Sequence, residues 1–260
     1  MNADERSKIR RFWDYGRPFR QRFGLLNGSA LSWSLARAEY RAAAGDLVPI
    51  QVPGWPRPFC LRARTSDPAV FRQVLMGREL EVALDPAPRR ILDGGMNFGL
   101  ASLVFAHRWP DAQIVGVELE QGNAAAARRN CAELPAIRII HGALWDTSGS
   151  VAVRDAGADA WSYQASANGD GIPVRAYRIA ELLDELGWDQ VDLVKLDIEG
   201  AERRVLADAP RWLPRVRHLL VELHDRFEPG CTDAFLAAVG GGDWSIREQG
   251  EYMLASRVTA

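Results

Sequence analysis

Ile91-Leu92-Asp93-Gly94-Gly95-Met96-Asn97-Phe98-Gly99 is the stretch that decides the fold. A short apolar strand ends in an acid, a glycine turn follows, and a helical pattern opens with Phe98, Ala101, Ser102 and Phe105 on one face. Reading outward, the same alternation recurs. Strands are expected at 90–93, 113–117, 137–141, 191–197 and 218–223, with helices near 98–107, 121–131, 179–186 and 202–207. The strands are short and apolar throughout, the pattern of parallel strands covered by helices on both faces. Right-handed crossovers between them give a doubly wound α/β sheet. The tail breaks the pattern: 244–248 and 251–256, separated by Gln249-Gly250, read as a closing antiparallel hairpin.

Upstream lies a different section, residues 1–88. A helix is expected over 30–44, stopped by Gly45. Apolar runs at 47–52 and 59–63 flank Pro53-Gly54-Trp55-Pro56 and suggest a β-hairpin; a helix capped by Ser66 or Asp67 with Pro68 in its first turn follows. The expected organisation is therefore an N-terminal helix-and-hairpin extension, 1–88, placed to cover an acceptor pocket, and an α/β domain, 89–260. Residues 154–172, rich in Ala, Gly and Asp, interrupt the alternation and read as a long loop, either a functional lid or a disordered excursion.

Composition narrows the class. Hydrophobic residues make up 47% of the 260 and charged residues 25%, so a sizeable core is available. A net charge of −2 offers no footprint for nucleic acid. Cys60, Cys131 and Cys231 are too sparse for a disulfide scaffold or zinc site and suit a reducing cytoplasm. No apolar run is long enough to span a membrane, and the first residues lack a signal peptide's apolar core. The reading at this level is a cytoplasmic protein with no nucleic-acid or membrane partner; homo-oligomerisation stays open.

The glycine turn places backbone N–H groups at the carboxyl edge of the sheet, where open α/β sheets bind ligands. It has neither the Gly-x-Gly-x-x-Gly run of dinucleotide sites nor the Gly-Lys-Ser/Thr of a phosphate loop. An acid at this place, Asp93, repels a phosphate and attracts an ammonium, so a cationic ligand is expected. Glu118, 25 residues on at the end of the second strand, is suited to the hydroxyls of a ribose. His141-Gly142-Ala143-Leu144-Trp145-Asp146 reaches the same edge, with Ala143 and Leu144 placed to pack on a base or simply to form a turn.

Taken together, Asp93-Gly94-Gly95-Met96-Asn97-Phe98-Gly99, Glu118, Ala143-Leu144-Trp145-Asp146 and Lys195-Leu196-Asp197-Ile198-Glu199-Gly200-Ala201-Glu202 resemble the FkbM-type methyltransferases. The resemblance runs from about Ser66 to His224, and Met96 and Leu119 depart from the family's usual alanine and proline. It implies a seven-stranded, mostly parallel, Rossmann-like methyltransferase sheet with S-adenosylmethionine as methyl donor. It also implies a hydroxyl acceptor on a sugar or natural-product small molecule, with an amine on an amino sugar or peptide as the alternative and a non-catalytic nucleoside-binding scaffold as a third reading. On that basis Asp93, Gly95, Asn97, Phe98, Gly99, Glu118, Ala143, Leu144 and Asp197 are expected to bind the donor.

Transfer to a hydroxyl calls for a base. The fourth and fifth strands are parallel, so Asp197 and Glu199 should meet Glu222 and His224. His224 is the preferred base, because its ordinary pKa lies near neutrality, and Asp197 the second choice. Glu199 and Glu222, with Trp161 and Tyr163 from the long loop, are expected to contact the acceptor. Asp197, Glu199 and Glu222 could also hold Mg²⁺, an alternative not favoured because nothing in the spacing fixes a coordination geometry. Glu202 is read as a helix-surface or capping residue.

Overall fold

The computed structural model describes residues 15–155, 163–166, 171–241 and 243–258. They form two compact units, dividing between Arg78 and Glu79 rather than at 88. The shift has a physical cause: residues 79–89 bond within the second unit. Arg247 Nη2 donates to Ala83 O at 3.4 Å, and the Arg89 N–H donates to Asp192 Oδ2 at 2.8 Å.

In the first unit a helix over 15–23 (α1) is followed by α2, Leu25–Ala36, which continues into a π turn, Arg37–Arg41. The helix thus begins five residues earlier than the apolar pattern suggested. Gly24, at φ 79°, breaks the chain between α1 and α2. Gly28 lets the two approach, because a Cβ there would lie 2.4 Å from Phe19 O. The hairpin forms as β1, Leu47–Ile50, and β2, Phe59–Arg62, in register from Leu47 opposite Arg62 to Ile50 opposite Phe59. Helix α3, Asp67–Gly77, has Pro68 in its first turn, but no side chain caps it. Asp67 is fully buried and instead pairs with the Arg62 guanidinium at 2.6 Å. Phe19, Leu31, Leu35, Leu61 and Phe71 are buried in this unit.

The second unit is built on a seven-stranded sheet. Its parallel strands are β3 (Arg90–Gly94), β4 (Gln113–Glu118), β5 (Ile137–His141), β10 (Val191–Leu196) and β11 (Val216–Glu222). An antiparallel hairpin, β12 (Trp244–Gln249) and β13 (Tyr252–Arg257), closes it against β11. The order β12-β13-β11-β10-β3-β4-β5 puts β3 beside both β4 and β10, so the chain reverses its direction of winding at β3. Helices α4 (Leu100–Arg108), α5 (Gln121–Asn130), α6 (Ile179–Glu185), α7 (Glu202–Ala207), α8 (Ala209–Trp212) and α9 (Cys231–Val239) lie between the strands. The core is the both-sides burial expected of parallel strands: Leu92, Val115, Leu144, Val194, Leu196, Leu219 and Trp212 pack in one cluster.

Of the segment read as a long loop, 154–155, 163–166 and 172 belong to strands, and 156–162 and 167–170 lie outside the described residues. β6 (Ala143–Leu144), β7 (Gly149–Asp155), β8 (Tyr163–Ser166) and β9 (Ile172–Tyr177) make a second sheet in the order β6-β9-β7-β8. Val151 stands opposite Val174, and Val153 opposite Ile172. Pairing across some twenty residues supplies what local composition did not announce. Among the described residues no helix is long and apolar enough to cross a membrane.

Candidate active site

The floor of the site is a charge ladder across β3 and β10. Asp93 and Lys195 are register partners in adjacent parallel strands. Lys195 Nζ lies 3.2 Å from Asp93 Oδ1 and 3.3 Å from Asp197 Oδ2, and donates to Gly95 O at 2.9 Å. Ser102, on the first turn of α4, donates to Asp93 Oδ2 at 2.6 Å. Burial works against the ammonium, but Asp93 and Asp197 outweigh it and hold the Lys195 pKa above its ordinary value.

Asp93 is fully buried in this ladder. The contact with a cationic ligand expected of Asp93, directly or through water, is met here by Lys195, and Asp93 is not among the residues lining the cleft. The same holds for two neighbours. Phe98 is fully buried, and Gly99, at φ 93°, opens α4 close against Ala127 and Cys131. Met96, too, is turned inward, over Gly116 of β4.

Above this floor opens a cleft of about 610 Å³, its mouth included, at the carboxyl edge of β3, β4 and β10. Of the residues expected at the donor, Gly95, Asn97, Glu118, Ala143, Leu144 and Asp197 line it together, as does Glu199. Gly95 and Met96 donate their N–H groups to Val117 O, which folds the turn onto β4. Gly95 must be glycine: at φ 73°, a Cβ would lie 1.7 Å from Asp197 O. Asn97 sits at φ 51°, and its N–H donates to Glu118 Oε2 at 2.7 Å. Its Oδ1 is buried without a hydrogen-bond partner among the described residues. Glu118 also accepts from the Glu120 N–H at 2.8 Å; burial raises its pKa against these bonds. Glu120 caps α5, accepting from Gly122 and Asn123.

Val117, Leu119, Asn123, Gly142, Ile198 and Ala201 also line the cleft and were not among the residues expected to bind a ligand. Among the described residues that line it are three acids, Glu118, Asp197 and Glu199, and no Lys, Arg or His.

Beside Asp197 and Glu199 the ends of β10 and β11 converge, as parallel strands dictate. His224 Nε2 lies 3.3 Å from Glu222 Oε1, 3.6 Å from Glu199 Oε2 and 3.9 Å from Asp197 Oδ1, and its Nδ1 donates to Glu202 Oε1 at 2.9 Å. Glu202, read as a helix-surface or capping residue, is fully buried, and no side chain caps α7. Burial opposes the charge of His224, but the bonds to Glu202 and Glu222 and the charge of Asp197 prevail, pushing its pKa up to about 11. The ring therefore carries its proton at neutral pH. Glu199 moves the other way, raised to about 7 by burial and by Asp197 and Glu222 against the pull of His224.

Tyr252, on β13, donates its hydroxyl to Asp197 Oδ2 at 3.1 Å; burial and Asp197 hold its pKa well above normal, so it stays a phenol. Neither Tyr252 nor Lys195 was anticipated, although Lys195 is one of only two lysines in a chain otherwise built with arginine. Trp161 lies outside the described residues. The backbone of Tyr163 falls in β8, at the edge of the second sheet.

The model of the methyltransferase FkbM domain matches residues 93–240, more than half of the chain. The chain belongs to the FkbM family of S-adenosylmethionine-dependent methyltransferases. This FkbM chain is 28% identical over 184 residues to the 2-O-methyltransferase NoeI of Sinorhizobium fredii, covering 64% of itself and 73% of NoeI. It is 37% identical over 59 residues to the 31-O-demethyl-FK506 methyltransferase FkbM of Streptomyces tacrolimicus, covering 22% of each. Among solved structures, methyltransferase FkbM from Methylobacillus flagellatus superposes with a TM-score of 0.47 at 14% identity. That match covers 74% of the FkbM chain described here, which spans about half (53%) of that protein.

Proposed function

We propose that the cleft binds S-adenosylmethionine and that the chain transfers its methyl group to a hydroxyl of a sugar or natural-product small molecule. One observation carries the reading: a cleft at the reversal point of an α/β sheet is lined by Glu118, Asp197 and Glu199 and by no basic side chain among the described residues. Such a lining disfavours a phosphorylated nucleotide and favours a ligand whose charge is positive. Asn97 adds to the fit, its buried Oδ1 still lacking a donor. Glu118 would accept from the ribose hydroxyls, Gly142, Ala143 and Leu144 would face the adenine, and Asn97 and Asp197 would hold the methionine end.

When bound, S-adenosylmethionine supplies a sulfonium methyl; the carbon–sulfur bond breaks as the carbon–oxygen bond forms, and its electron pair stays on sulfur. The chain's part is alignment and proton removal. Alignment alone is worth up to about 7–11 kcal/mol in ideal cases. The proton lost by the acceptor goes to Glu199, whose pKa near 7 suits a base, and not to His224, which already holds its own. Asp197, held by Lys195 and Tyr252, orients the reacting groups, and Glu222 stands behind His224 on the acceptor side.

The excess of carboxylates supports a second reading, an amine acceptor held as its ammonium. Titration calorimetry with S-adenosylmethionine and its demethylated product tests the cleft; no heat with either would reject the proposal. A screen of sugars and glycosylated natural products with isotopically labelled donor then separates oxygen from nitrogen products.

A further inference from the structure

Glu202 is fully buried, and both of its oxygens are engaged. Oε1 accepts from the Ile198 N–H at 2.8 Å and from His224 Nδ1 at 2.9 Å. Oε2 accepts from the Gly200 N–H at 2.8 Å, with Cys231 Sγ of α9 at 3.8 Å. One side chain thus grips two different things. The first is the turn between β10 and α7, where Glu199 sits at φ 53° and Gly200 at φ 101°, a left-handed pair that a non-glycine residue adopts only when held. The second is the His224 ring, which stacks on Phe227 with centroids 5.8 Å apart.

The groups facing that ring come from three elements. Glu202 belongs to α7; Asp197 and Glu199 come from the turn after β10; Glu222 ends β11, two residues before His224 itself. Asp197 is drawn the other way by Lys195 and Tyr252.

We propose that Glu202 is the positioning residue of the acceptor side. By holding the His224 ring at Nδ1 and the Ile198–Gly200 turn at once, it fixes where the imidazole and the Glu199 carboxylate stand. Glu202 touches neither methyl donor nor acceptor; it acts through the two residues it holds. Its effect on turnover rests on the methyl-transfer reading, but its effect on His224 does not.

The test begins with nitrogen NMR of the imidazole in the intact chain. In the wild type, His224 should keep both ring protons through pH 8. In Glu202→Gln, which preserves an acceptor for one backbone N–H but removes the charge, the ring should lose its proton at least tenfold more readily, a downward shift of one pH unit or more. With an identified acceptor, the same variant should lower kcat about 10–100-fold, leave affinity for the demethylated donor within about threefold, and shift the pH profile; Glu202→Asp should restore part of the rate.

A wild-type His224 that titrates near pH 6.5, or a Glu202→Gln titration equal to wild type, would overturn the proposal. So would loss of donor-product binding in step with turnover, which marks a merely structural role. If Glu202→Gln does not fold, Glu202→Asp decides: turnover and a His224 titration both equal to wild type would overturn the proposal. Failure of the methyl-transfer reading would look different: no donor heat, with the His224 titration intact.

Discussion

Lys195 and Asp93 face each other across β10 and β3 at 3.2 Å, both essentially withdrawn from solvent. An ion pair so placed gives little net stability relative to an apolar pair, but losing one partner strands the other charge. Lys195→Met should therefore destabilise the chain by about 3–5 kcal/mol in denaturant unfolding, and the double replacement with Asp93→Leu by less than that. A single variant as stable as wild type would show that the pair does not hold the site's floor.

Gly95→Ala tests the turn above that floor. The methyl would collide with Asp197 O at 1.7 Å and force φ out of the left-handed region. Donor-product binding should fall beyond detection by calorimetry, with unfolding at lower denaturant. Retained affinity would mean that the turn reshapes without harm.

Glu118 offers a milder probe. Removing one charge-assisted partner of a ligand hydroxyl costs about 1.5–3 kcal/mol. Glu118→Gln should accordingly weaken donor-product affinity by roughly 10–100-fold while leaving far-ultraviolet dichroism unchanged.

The pH dependence of turnover follows from Glu199. A base must be deprotonated, and burial has raised this group to about 7. Turnover per bound donor should rise with pH through that value, and Glu199→Gln should remove about 10²–10⁴ of rate without loss of donor affinity. An unchanged profile in Glu199→Gln would transfer the role to Asp197.

Glu79 gives a stability prediction of definite sign. Burial first, then Glu251, Glu222 and Asp197, raise its pKa from 4.5 to about 7. Below pH 4.5 the carboxyl is protonated in both folded and unfolded chains and costs nothing. Between 4.5 and 7 the unfolded chain releases the proton sooner, so stability falls as pH rises, and above 7 the loss is complete. Glu79→Gln should gain about 1–3 kcal/mol at pH 8 and nothing at pH 4. Equal gains at both values would point to packing against Gly250 instead.

How far these relationships could be read in advance depends on whether they are local. Strands β3, β4, β5 and β10 were placed within a residue or two, because an apolar run ending in Asp93 or Glu118 and followed by a helical pattern is a local signal. That the ends of β3, β4 and β10 bring Gly95, Glu118 and Asp197 to one edge followed from the same grammar, whereas Asn123, Ile198 and Ala201 did not. The second sheet did not, because β7 and β9 recognise each other across an Ala- and Gly-rich stretch whose composition resembles a loop. Charge states were the least legible. His224 reads as a neutral-range base until Glu202 and Glu222 are seen against it, and Asp93 reads as a ligand group until Lys195, about a hundred positions away, is found beside it.

The bond from Tyr252 to Asp197 carries a consequence for how the enzyme comes into being. Strand β13 is the last element of the described sheet to leave the ribosome, yet it inserts between β11 and β12 and delivers the phenol that steadies the cleft's central carboxylate. A nascent chain halted after β12 could assemble the five parallel strands and still hold Asp197 without that anchor. In such a chain Lys195 alone would steady that carboxylate, and the second hold would come only with the last strand of the described sheet.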